Sequence, residues 1–256
     1  APKISDSDVE QTIDADVVVV GLGCAGVPAA RSAAEQGAKV VCIEASSSIN
    51  SVASDMAIIG GNTQNTWGRG DGFLDKNMLV NMHMAESSHH SDYGIIERYV
   101  NESGAALDWF IDADKNLYIA PESYSDIPEG NRDDYLYPYF VPMLEHYDYT
   151  RGSLPCYPTS VGFKSLLTVM QANLKVATDL GADVHYNTKG VELITDDNGN
   201  VSGVYAQERG ANGYIRINAK SVVIATGDYM MNQDMMEYYQ PECVENDIKY
   251  LSTDQD

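Results

Sequence analysis

Short apolar runs alternate with a helix-like stretch in the first part of the chain. Residues 17–20 are four valines between Asp16 and Gly21, a pattern typical of a buried parallel strand. The Ala-rich residues 29–36 predict a helix, and the run KVVCIE predicts a second strand that ends at Glu44. Strand, helix and strand in this order predict a βαβ unit.

Regular patterns recur further along the chain. Residues 92–112 and 161–181 carry apolar residues at helical spacing and predict two helices, the first interrupted near Ser103 and Gly104. The core-facing stripe expected for the first of these helices consists of Ile95, Ile96, Tyr99, Val100, Ala106, Leu107 and Phe110. Strands are predicted in DVHYNT, GVELITDDNGNVSGVYAQE and GYIRINAKSVVIAT, with turns at DDNGN and RGANG.

The last two of these strand segments predict a β-hairpin. The stretch KSVVIATGD then predicts an apolar return strand that ends at Thr226 and Gly227. A parallel strand brings such residues to the sheet edge at which doubly wound folds bind their ligands. We therefore expect a Rossmann-like α/β fold with a mainly parallel sheet, helices on both of its faces and an added β-hairpin or meander.

Three glycines follow the first strand with the spacing Gly-x-Gly-x-x-Gly. Gly21 can supply the tight turn, Gly23 allows a phosphate to approach the backbone, and Gly26 allows the helix to lie near the strand. The N–H groups and the positive dipole end of the helix would then face a pyrophosphate. Glu44, 23 residues after Gly21, is placed to accept hydrogen bonds from a ribose and disfavours a 2′-phosphate. The alternative is that the glycines serve only the turn.

Composition limits the partners of the chain. Its 256 residues suffice for one large α/β domain, alone or with a lobe. The 38 acidic and 16 basic residues give a net charge of -22, which argues against nucleic acid and anionic membrane surfaces as partners. An anionic cofactor or substrate must then be held by local dipoles and a few cations.

Cysteine usage and hydropathy exclude further classes. The four cysteines and five histidines show neither C-x-x-C nor metal-ligand spacing, so we expect no metal site and no disulfide framework. Cys24, in the glycine loop, and Cys42, in the second strand, are interpreted as small buried residues. No apolar run approaches the ~20 residues of a membrane span. The polar start fits a trimmed N-terminus or the mature end of an exported protein, so we expect a soluble protein, cytoplasmic or exported.

Two segments have compositions that favour loops. Residues 45–61 are rich in small and hydroxyl side chains and end at Gly60 and Gly61, where the backbone could approach a ligand or merely connect two elements. Residues 116–159 carry eight tyrosines and several prolines, and we expect an irregular insertion that packs on the domain or borders a site. Arg132 and Arg151 in this insertion are candidate cations for a carboxylate substrate.

Three blocks of sequence carry a resemblance to a known family. They are DADVVVVGLGCAGVPAARSAAEQGAKVVCIEA, the region from GFKSLLTVMQANLKVATDLGADVHYNTKG to VSGVYA, and AKSVVIATGDYMMNQDMMEYY. In this order, from about residue 14 to residue 252, they resemble the flavoprotein family of fumarate reductase and succinate dehydrogenase. The resemblance implies FAD, rather than NAD, as the cofactor.

The resemblance also implies roles for individual residues. The glycine loop would lie at the FAD pyrophosphate, Glu44 at the adenosine ribose, and the strand near Gly190 beside the adenine. Gly60 and Gly61 would correspond to the glycine pair of the family near the isoalloxazine ring. Asp228 stands where family members usually carry a second glycine. The full set of candidate cofactor-binding residues is Gly21, Gly23, Cys24, Ala25, Gly26, Glu44, Ala45, Ser46, Ser54, Gly60, Gly61, Gly190, Ala225, Thr226 and Gly227.

The resemblance implies a domain organisation as well. Residues 1–13 are expected to form a polar tail, and residues 14–256 a FAD-binding domain with the insertion at about 116–159. Family members continue into a capping domain that carries the substrate-binding and proton-donating residues. No catalytic residue is therefore assigned in this chain, which by itself is expected to be inactive or nearly so.

The function expected from the resemblance is that of the FAD-binding part of a reductase. Its substrate would hold an activated C=C bond, as in an α,β-unsaturated carboxylate, and an electron-donor domain or protein would be a partner. One alternative is a flavoenzyme similar to ketosteroid dehydrogenases, and another is a non-catalytic FAD-binding electron carrier. A plain NAD-binding Rossmann domain is a further alternative, but it does not account for the helix, hairpin and IATG return.

Overall fold

The computed structural model describes residues 4–51, 54–121, 134–142, 156–230 and 232–246. The chain divides into two compact units. The first unit comprises residues 1–52 and 174–256, and the second comprises residues 53–173. No helix among the described residues combines the length and the apolar character that crossing a membrane would require.

Strands and helices alternate along the chain. The strands are β1 (Val9–Val20), β2 (Val40–Ile43), β3 (Asp55–Ala57), β4 (Tyr118–Ile119), β5 (Tyr135–Pro142), β6 (Cys156–Phe163), β7 (Asp183–His185), β8 (Thr188–Thr195), β9 (Val201–Glu208) and β10 (Tyr214–Ile224). The helices are α1 (Gly26–Glu35), α2 (Gly61–Thr66), α3 (Lys76–Glu86), α4 (Tyr93–Ile111), α5 (Leu166–Asp179), α6 (Gln233–Tyr239) and α7 (Pro241–Glu245).

The described strands of the first unit form one sheet in the order β7-β2-β1-β10-β9-β8. β1 pairs in parallel with β2 and β10, and β2 pairs in parallel with β7. β9 pairs antiparallel with both β10 and β8. Helix α1 connects β1 to β2, as the predicted βαβ unit requires. The α/β fold with a mainly parallel sheet and an added meander is therefore confirmed.

Strand β1 is much longer than the apolar pattern predicts. It begins at Val9 rather than at Val17, and its register with β10 runs from the pair Val9–Tyr214 to the pair Val20–Ile224. Residues 9–16 are mostly polar and partly or fully exposed, so they carry no apolar signal. Backbone pairing with β10, which no local pattern reports, extends the strand.

The meander follows the predicted turns. The turn at DDNGN separates β8 from β9, and the turn at RGANG separates β9 from β10. β10 is unbroken, so the hairpin strand and the predicted return strand are one element. This strand pairs antiparallel with β9 on one side and in parallel with β1 on the other.

The core of the first unit lies between the parallel strands and the meander. Gly190, in β8, faces this core. A Cβ atom on Gly190 would lie 2.8 Å from Val20 Cγ1, so the absence of a side chain lets β8 lie against the parallel strands. The core residues, each at most 8% exposed, are Val18, Val20, Val41, Ile43, Val204, Ala206, Ile217 and Ala219.

The second unit has its own sheet, with the described strands in the order β3-β6-β5-β4. β6 pairs antiparallel with β3 and β5, and β4 pairs in parallel with β5. The expectation that residues 116–159 are irregular is therefore wrong for β4, β5 and the start of β6. Aromatic residues favour strands, and Tyr135 and Leu136 are at most 1% exposed. Arg132 and Arg151 lie outside the described residues.

Helix α4 is continuous, so the predicted interruption near Ser103 and Gly104 is wrong. Ser103 remains within the helix, and its Oγ accepts a hydrogen bond from the N–H of Ile59 at 3.0 Å. The predicted core stripe is correct for Val100, which is fully buried, but wrong for Ile95, which is 69% exposed. The neighbouring Ile96 packs against the cluster of Ile59, Leu79, Val80 and Val100, whereas Ile95, one position away around the helix, faces solvent.

A close backbone contact joins α2 to α4. A Cβ atom on Gly61 would lie 2.6 Å from the carbonyl carbon of Gly104, and a Cβ atom on Gly104 would overlap the backbone of Gly60. Gly60 and Gly61 also have φ angles of +73° and +86°, which favour glycine. All three glycines are therefore required by the packing of the second unit itself.

The substitution Gly104→Ala tests this contact. Alanine favours a helix interior by ~1 kcal/mol, but its methyl group would meet backbone that cannot rotate away. We therefore expect the free energy of unfolding to fall by about 1–3 kcal/mol, a range typical of overpacked sites. Gly94→Ala in the same helix is the control, because its Cβ would meet only Asp92 Oδ1, at 3.2 Å. Urea denaturation measures both, and equal stabilities would contradict the contact.

Two carboxyl groups lie close together in the second unit. Burial, the charge of Asp114 and a hydrogen bond with Asp114 raise the pKa of Asp134 from its ordinary value of 3.8 to about 6. The folded state therefore binds the Asp134 proton more tightly than the unfolded state does. The contribution of Asp134 to stability is lost as the pH rises through about 6 and regained as the pH falls towards 4.

Asp134→Asn should remove this pH dependence. At pH 7 the neutral amide relieves the repulsion, and we expect a Tm higher by on the order of 2 °C, since solvent screens part of the interaction. The difference from the unsubstituted protein should shrink towards pH 4. Asp112→Asn removes a carboxylate that forms an exposed ion pair with Lys115, and serves as the control. A Tm gain for Asp134→Asn that is independent of pH would contradict the raised pKa of Asp134 as the source of the gain.

Candidate dinucleotide-binding site

The glycine loop lies at the carboxyl end of β1, directly before α1. Gly21 has a φ angle of +93°, and its N–H donates a hydrogen bond to the carbonyl oxygen of Ile43 at 2.8 Å. A Cβ atom on Gly21 would lie only 2.5 Å from the carbonyl oxygen of Ala225. The chain can therefore turn sharply between the ends of β2 and β10 only because residue 21 has no side chain.

The other two glycines of the loop have different roles. A Cβ atom on Gly26, the first residue of α1, would overlap the carbonyl oxygen of Gly21. Gly26 therefore allows α1 to start against the turn. A Cβ atom on Gly23 would meet no atom within 4 Å, and the φ angle of Gly23 is one that other residues adopt. Nothing in the protein itself requires glycine at position 23, which indicates that the adjacent open space serves another molecule.

The N-terminus of α1 has no side-chain cap, while the N–H of Val27 already donates to the carbonyl oxygen of Gly23 at 3.1 Å and Pro28 has no N–H. Ala25, its N-cap, is exposed and provides no side-chain hydrogen bond to the helix. Unpaired N–H groups at a helix start attract negatively charged oxygen atoms. Cys24 precedes this residue and is half-buried, so the prediction that it is buried is only partly correct. Cys42 is fully buried, and burial together with the charge of Asp183 raises the pKa of its thiol to about 12.

Glu44 lies beside the glycine loop. Its Oε2 accepts a hydrogen bond from the N–H of Leu22 at 2.7 Å, and its Oε1 accepts one from the N–H of Ser46 at 2.8 Å. A carboxylate has about four lone-pair positions, so two positions are left for hydroxyl donors. Glu44 therefore connects the glycine loop to the end of β2 and can still bind a ribose.

Backbone hydrogen bonds fix the residues that follow β2. The N–H of Asn187 donates to the carbonyl oxygen of Ser46 at 2.9 Å, and the N–H of Thr188 donates to that of Glu44 at 2.8 Å. The guanidinium Nη2 of Arg209 donates to the carbonyl oxygen of Ala45 at 3.0 Å. Residues 44–46 are thus held by hydrogen bonds from the start of β8 and from Arg209, which follows β9.

Tyr186 lies at the same edge of the sheet as Glu44, that is, at the carboxyl ends of the parallel strands. It directly follows β7, whose residue His185 pairs with Ile43. Burial, then the charges of Glu44 and Cys42, raise the pKa of the Tyr186 hydroxyl. The phenol therefore stays neutral near the Glu44 carboxylate and can act as a hydrogen-bond donor there.

The end of β10 completes the edge. The N–H of Ala225 donates to the carbonyl oxygen of Val20 at 2.8 Å, which continues the parallel pairing beyond the strand. Thr226 and Gly227 follow as exposed residues, and Gly227 has a φ angle of +92°. Asp228 then accepts a hydrogen bond from the N–H of Met230 in a turn, at 2.8 Å.

The structure brings most of the predicted site residues together. At the carboxyl ends of β1, β2 and β10 it places Gly21, Gly23, Cys24, Ala25, Gly26, Glu44, Ala45, Ser46, Ala225, Thr226 and Gly227, and Gly190 packs on the ends of β1 and β2. Ser54, Gly60 and Gly61 belong to the second unit, and the roles of all these candidate residues in cofactor binding stay predictions. The N–H groups of Asn62 and Thr63 at the start of α2 donate to Asp108.

Sequence reasoning missed three residues of this edge. Leu22 contributes through its backbone N–H, which no residue type reveals. Tyr186 and Arg209 are distant from the glycine loop in sequence and reach Glu44 and Ala45 only through strand pairing. The position of Tyr186 within the predicted strand segment DVHYNT was the one available signal.

The edge has the features that a dinucleotide pyrophosphate and its ribose require. Open space adjoins Gly23, an uncapped helix start follows it, and Glu44 retains acceptor capacity. Both the attraction of the helix start for phosphate and the acceptor for ribose are therefore present within the first unit.

Comparison with known proteins matches the chain to a family of dinucleotide-binding domains and to two reductases. The sequence profile of the FAD binding domain family matches residues 16–249. The chain is similar to a urocanate reductase of Eggerthella lenta, with 30% identity over 95% of this chain and 36% of the relative. It is also similar to a probable fumarate reductase of Shewanella frigidimarina, with 28% identity over 88% of this chain and 34% of the relative.

Similarity to a solved structure supports the same fold. The chain resembles a 3-ketosteroid-Δ4-(5α)-dehydrogenase from Rhodococcus jostii with a TM-score of 0.68 and 25% identity, over 94% of this chain and 51% of that protein. The chain spans about a third of the length of the two curated relatives, 36% and 34%.

The substitution Gly23→Ala tests the glycine loop. The protein itself has room for the methyl group, so the Tm of the cofactor-free protein should change by less than about 2 °C. The methyl group would occupy the space beside the pyrophosphate, and we expect the Kd for FAD to rise at least about 100-fold, roughly 2.8 kcal/mol. Titration monitored by flavin fluorescence measures the Kd.

Gly26→Ala is the matched comparison for this prediction. Its methyl group would overlap the backbone of Gly21, so this variant should lose both stability and FAD binding. An unchanged FAD affinity in Gly23→Ala would show that the cofactor does not approach the loop.

Proposed function

The chain belongs to the FAD binding domain family and has FAD as its cofactor, and we propose that it is the FAD-binding part of a reductase of activated C=C bonds. The proposal rests on the reactions for which the two curated relatives are named. One is a urocanate reductase and the other a probable fumarate reductase, and both named compounds hold a C=C bond conjugated to a carboxylate. The substrate class proposed is therefore an α,β-unsaturated carboxylate.

The residues of the first unit would hold the cofactor. The glycine loop and the start of α1 would receive the pyrophosphate, since they offer N–H groups and open space at Gly23. Glu44 would accept the ribose hydroxyls, and Ala225, Thr226 and Gly227 would lie along the cofactor. FAD, when bound, supplies the hydride chemistry that reduction of an alkene requires.

The negative charge of the protein supports the use of backbone dipoles in this site. With a net charge of -22, the long-range field disfavours an anionic cofactor. Short-range hydrogen bonds from the helix start act within a few ångströms, inside the first turn of the helix. We propose that an electron-donor domain or protein reduces the flavin, and that residues beyond those of this site bind the carboxylate.

A second function is favoured by one specific observation. The solved structure with a TM-score of 0.68 is a ketosteroid dehydrogenase in complex with 4-androstene-3,17-dione, a ring system rather than a carboxylate. A dehydrogenase of this kind would remove a hydride from its substrate, whereas the proposed reductase would deliver one. The direction of hydride transfer therefore separates the two candidates.

Anaerobic assays of the full-length protein test the proposal. With reduced methyl viologen as donor, urocanate and fumarate should oxidise the dye at rates on the order of 1 s⁻¹ or more, as expected of an enzyme. Saturated analogues of both compounds should be inert. The Gly23→Ala variant is the negative control, since it should lack FAD.

Each other outcome would favour a different function. Activity only with 4-androstene-3,17-dione and an artificial electron acceptor would replace the reductase by a steroid dehydrogenase. A protein that binds FAD, accepts electrons and reduces no unsaturated carboxylate or steroid would be a non-catalytic electron carrier.

A further inference from the structure

Three successive carbonyl groups follow the strand that delivers Glu44. The carbonyl oxygens of Glu44 and Ser46 accept hydrogen bonds from the backbone of residues 187–188, at 2.8 and 2.9 Å. The middle carbonyl, that of Ala45, accepts its hydrogen bond from the side chain of Arg209 at 3.0 Å. An arginine side chain thus donates the middle one of three hydrogen bonds that hold residues 44–46. We call this set of three hydrogen bonds the clasp.

Arg209 is well placed for this role. Its own N–H donates to the carbonyl oxygen of Asn187 at 2.7 Å, which fixes its backbone at the end of β9. The same Asn187 donates its N–H to Ser46. The guanidinium group is a rigid, always charged donor, so its bond to a carbonyl is stronger than that of a neutral donor. The clasp therefore joins the β9 end, the start of β8 and the loop after β2.

The orientation of Glu44 depends on the clasped segment. One carboxylate oxygen of Glu44 is bonded to the N–H of Ser46, so any movement of residues 45–46 moves this acceptor. The other oxygen is bonded to Leu22 in the glycine loop. The clasped segment therefore determines how the two remaining lone-pair positions of Glu44 are presented to a ribose.

We infer that Arg209 is a positioning residue of the FAD site, which holds residues 45–46 so that the Glu44 carboxylate faces the adenosine ribose. The inference rests on the proposed role of Glu44. Arg209 acts through Glu44 and need not touch the cofactor. It sets the preference of the site for a ribose over a deoxyribose, which separates this role from a general contribution to stability.

ADP and 2′-deoxy-ADP are probes for this role, because they carry the pyrophosphate and adenosine without the flavin. The unsubstituted full-length protein, freed of FAD, should bind ADP about tenfold more tightly than 2′-deoxy-ADP, as expected for a hydrogen bond to a charged acceptor. In Arg209→Ala this ratio should fall to about two. Isothermal titration calorimetry measures the four dissociation constants.

Two further variants separate positioning from charge and from stability. Arg209→Lys keeps the charge but not the rigid fork, so its ratio should lie between those of Arg209→Ala and the unsubstituted protein. Arg216→Ala is the control, because it removes the same charge far from the site. Arg216 lies in β10 eight residues, or about 26 Å, before the end of the strand at Ile224. Arg216 bonds to Asn218 and Asp6, and its replacement should leave the ratio near ten.

The outcomes distinguish the inference from its premise. If the unsubstituted protein binds ADP and 2′-deoxy-ADP equally, Glu44 does not bind the ribose 2′-hydroxyl, and both the premise and the inference fail. If it discriminates and Arg209→Ala retains a tenfold ratio, the role of Glu44 stands and that of Arg209 is overturned. A loss of ADP affinity with an unchanged ratio and a lower Tm would show that Arg209 serves only stability.

Discussion

The first unit depends on the contact between the backbone of Gly21 and its two neighbours, Gly26 and Ala225. A side chain at Gly21 would collide with the carbonyl oxygen of Ala225, and one at Gly26 would collide with that of Gly21. Because no side chain intervenes, the start of α1 lies directly at the ends of β1 and β10. The uncapped start of that helix and the open space at Gly23 lie beside this contact, and together they are the candidate place for a pyrophosphate.

Electrostatics explains why the site is built from backbone. A chain of net charge -22 gains little from adding cations at one point, because the long-range field remains negative. Backbone N–H groups instead act at hydrogen-bond distance and need no charged side chain to be buried beside the ligand. Glu44 fits this arrangement, since its carboxylate accepts from two backbone N–H groups and has two further lone-pair positions.

The same use of glycine in the second unit has a different meaning. Gly60, Gly61 and Gly104 bring α2 and α4 into backbone contact, and the carboxylate of Asp108 binds the N–H groups at the start of α2. Gly23 in the first unit has neither a close contact nor a positive φ that would require glycine, whereas these three all have a close contact. A glycine that the protein itself does not require is therefore better evidence for a ligand than a glycine pair.

Local sequence determined the elements of the site. The valines of β1, the glycine spacing, the small residues of α1 and the position of Glu44 each report a property of a short segment, and their predictions agree with the structure. Local sequence failed where pairing between distant segments decides the result. β1 extends to Val9 because β10 lies beside it, and α4 continues through Gly104 because α2 packs there.

Tertiary structure alone decided which side chains support Glu44. Arg209 is 164 residues away from Ala45 in the chain and reaches it only because β8 and β9 pair and the end of β9 meets the loop after β2. The sequence of either segment contains no trace of this bond, since an arginine in a turn and a carbonyl in a loop are compatible with many partners. The sequence by itself thus determined the strand, turn, helix and acid of the site, and the long-range hydrogen bonds that orient them came only from the folded sheet.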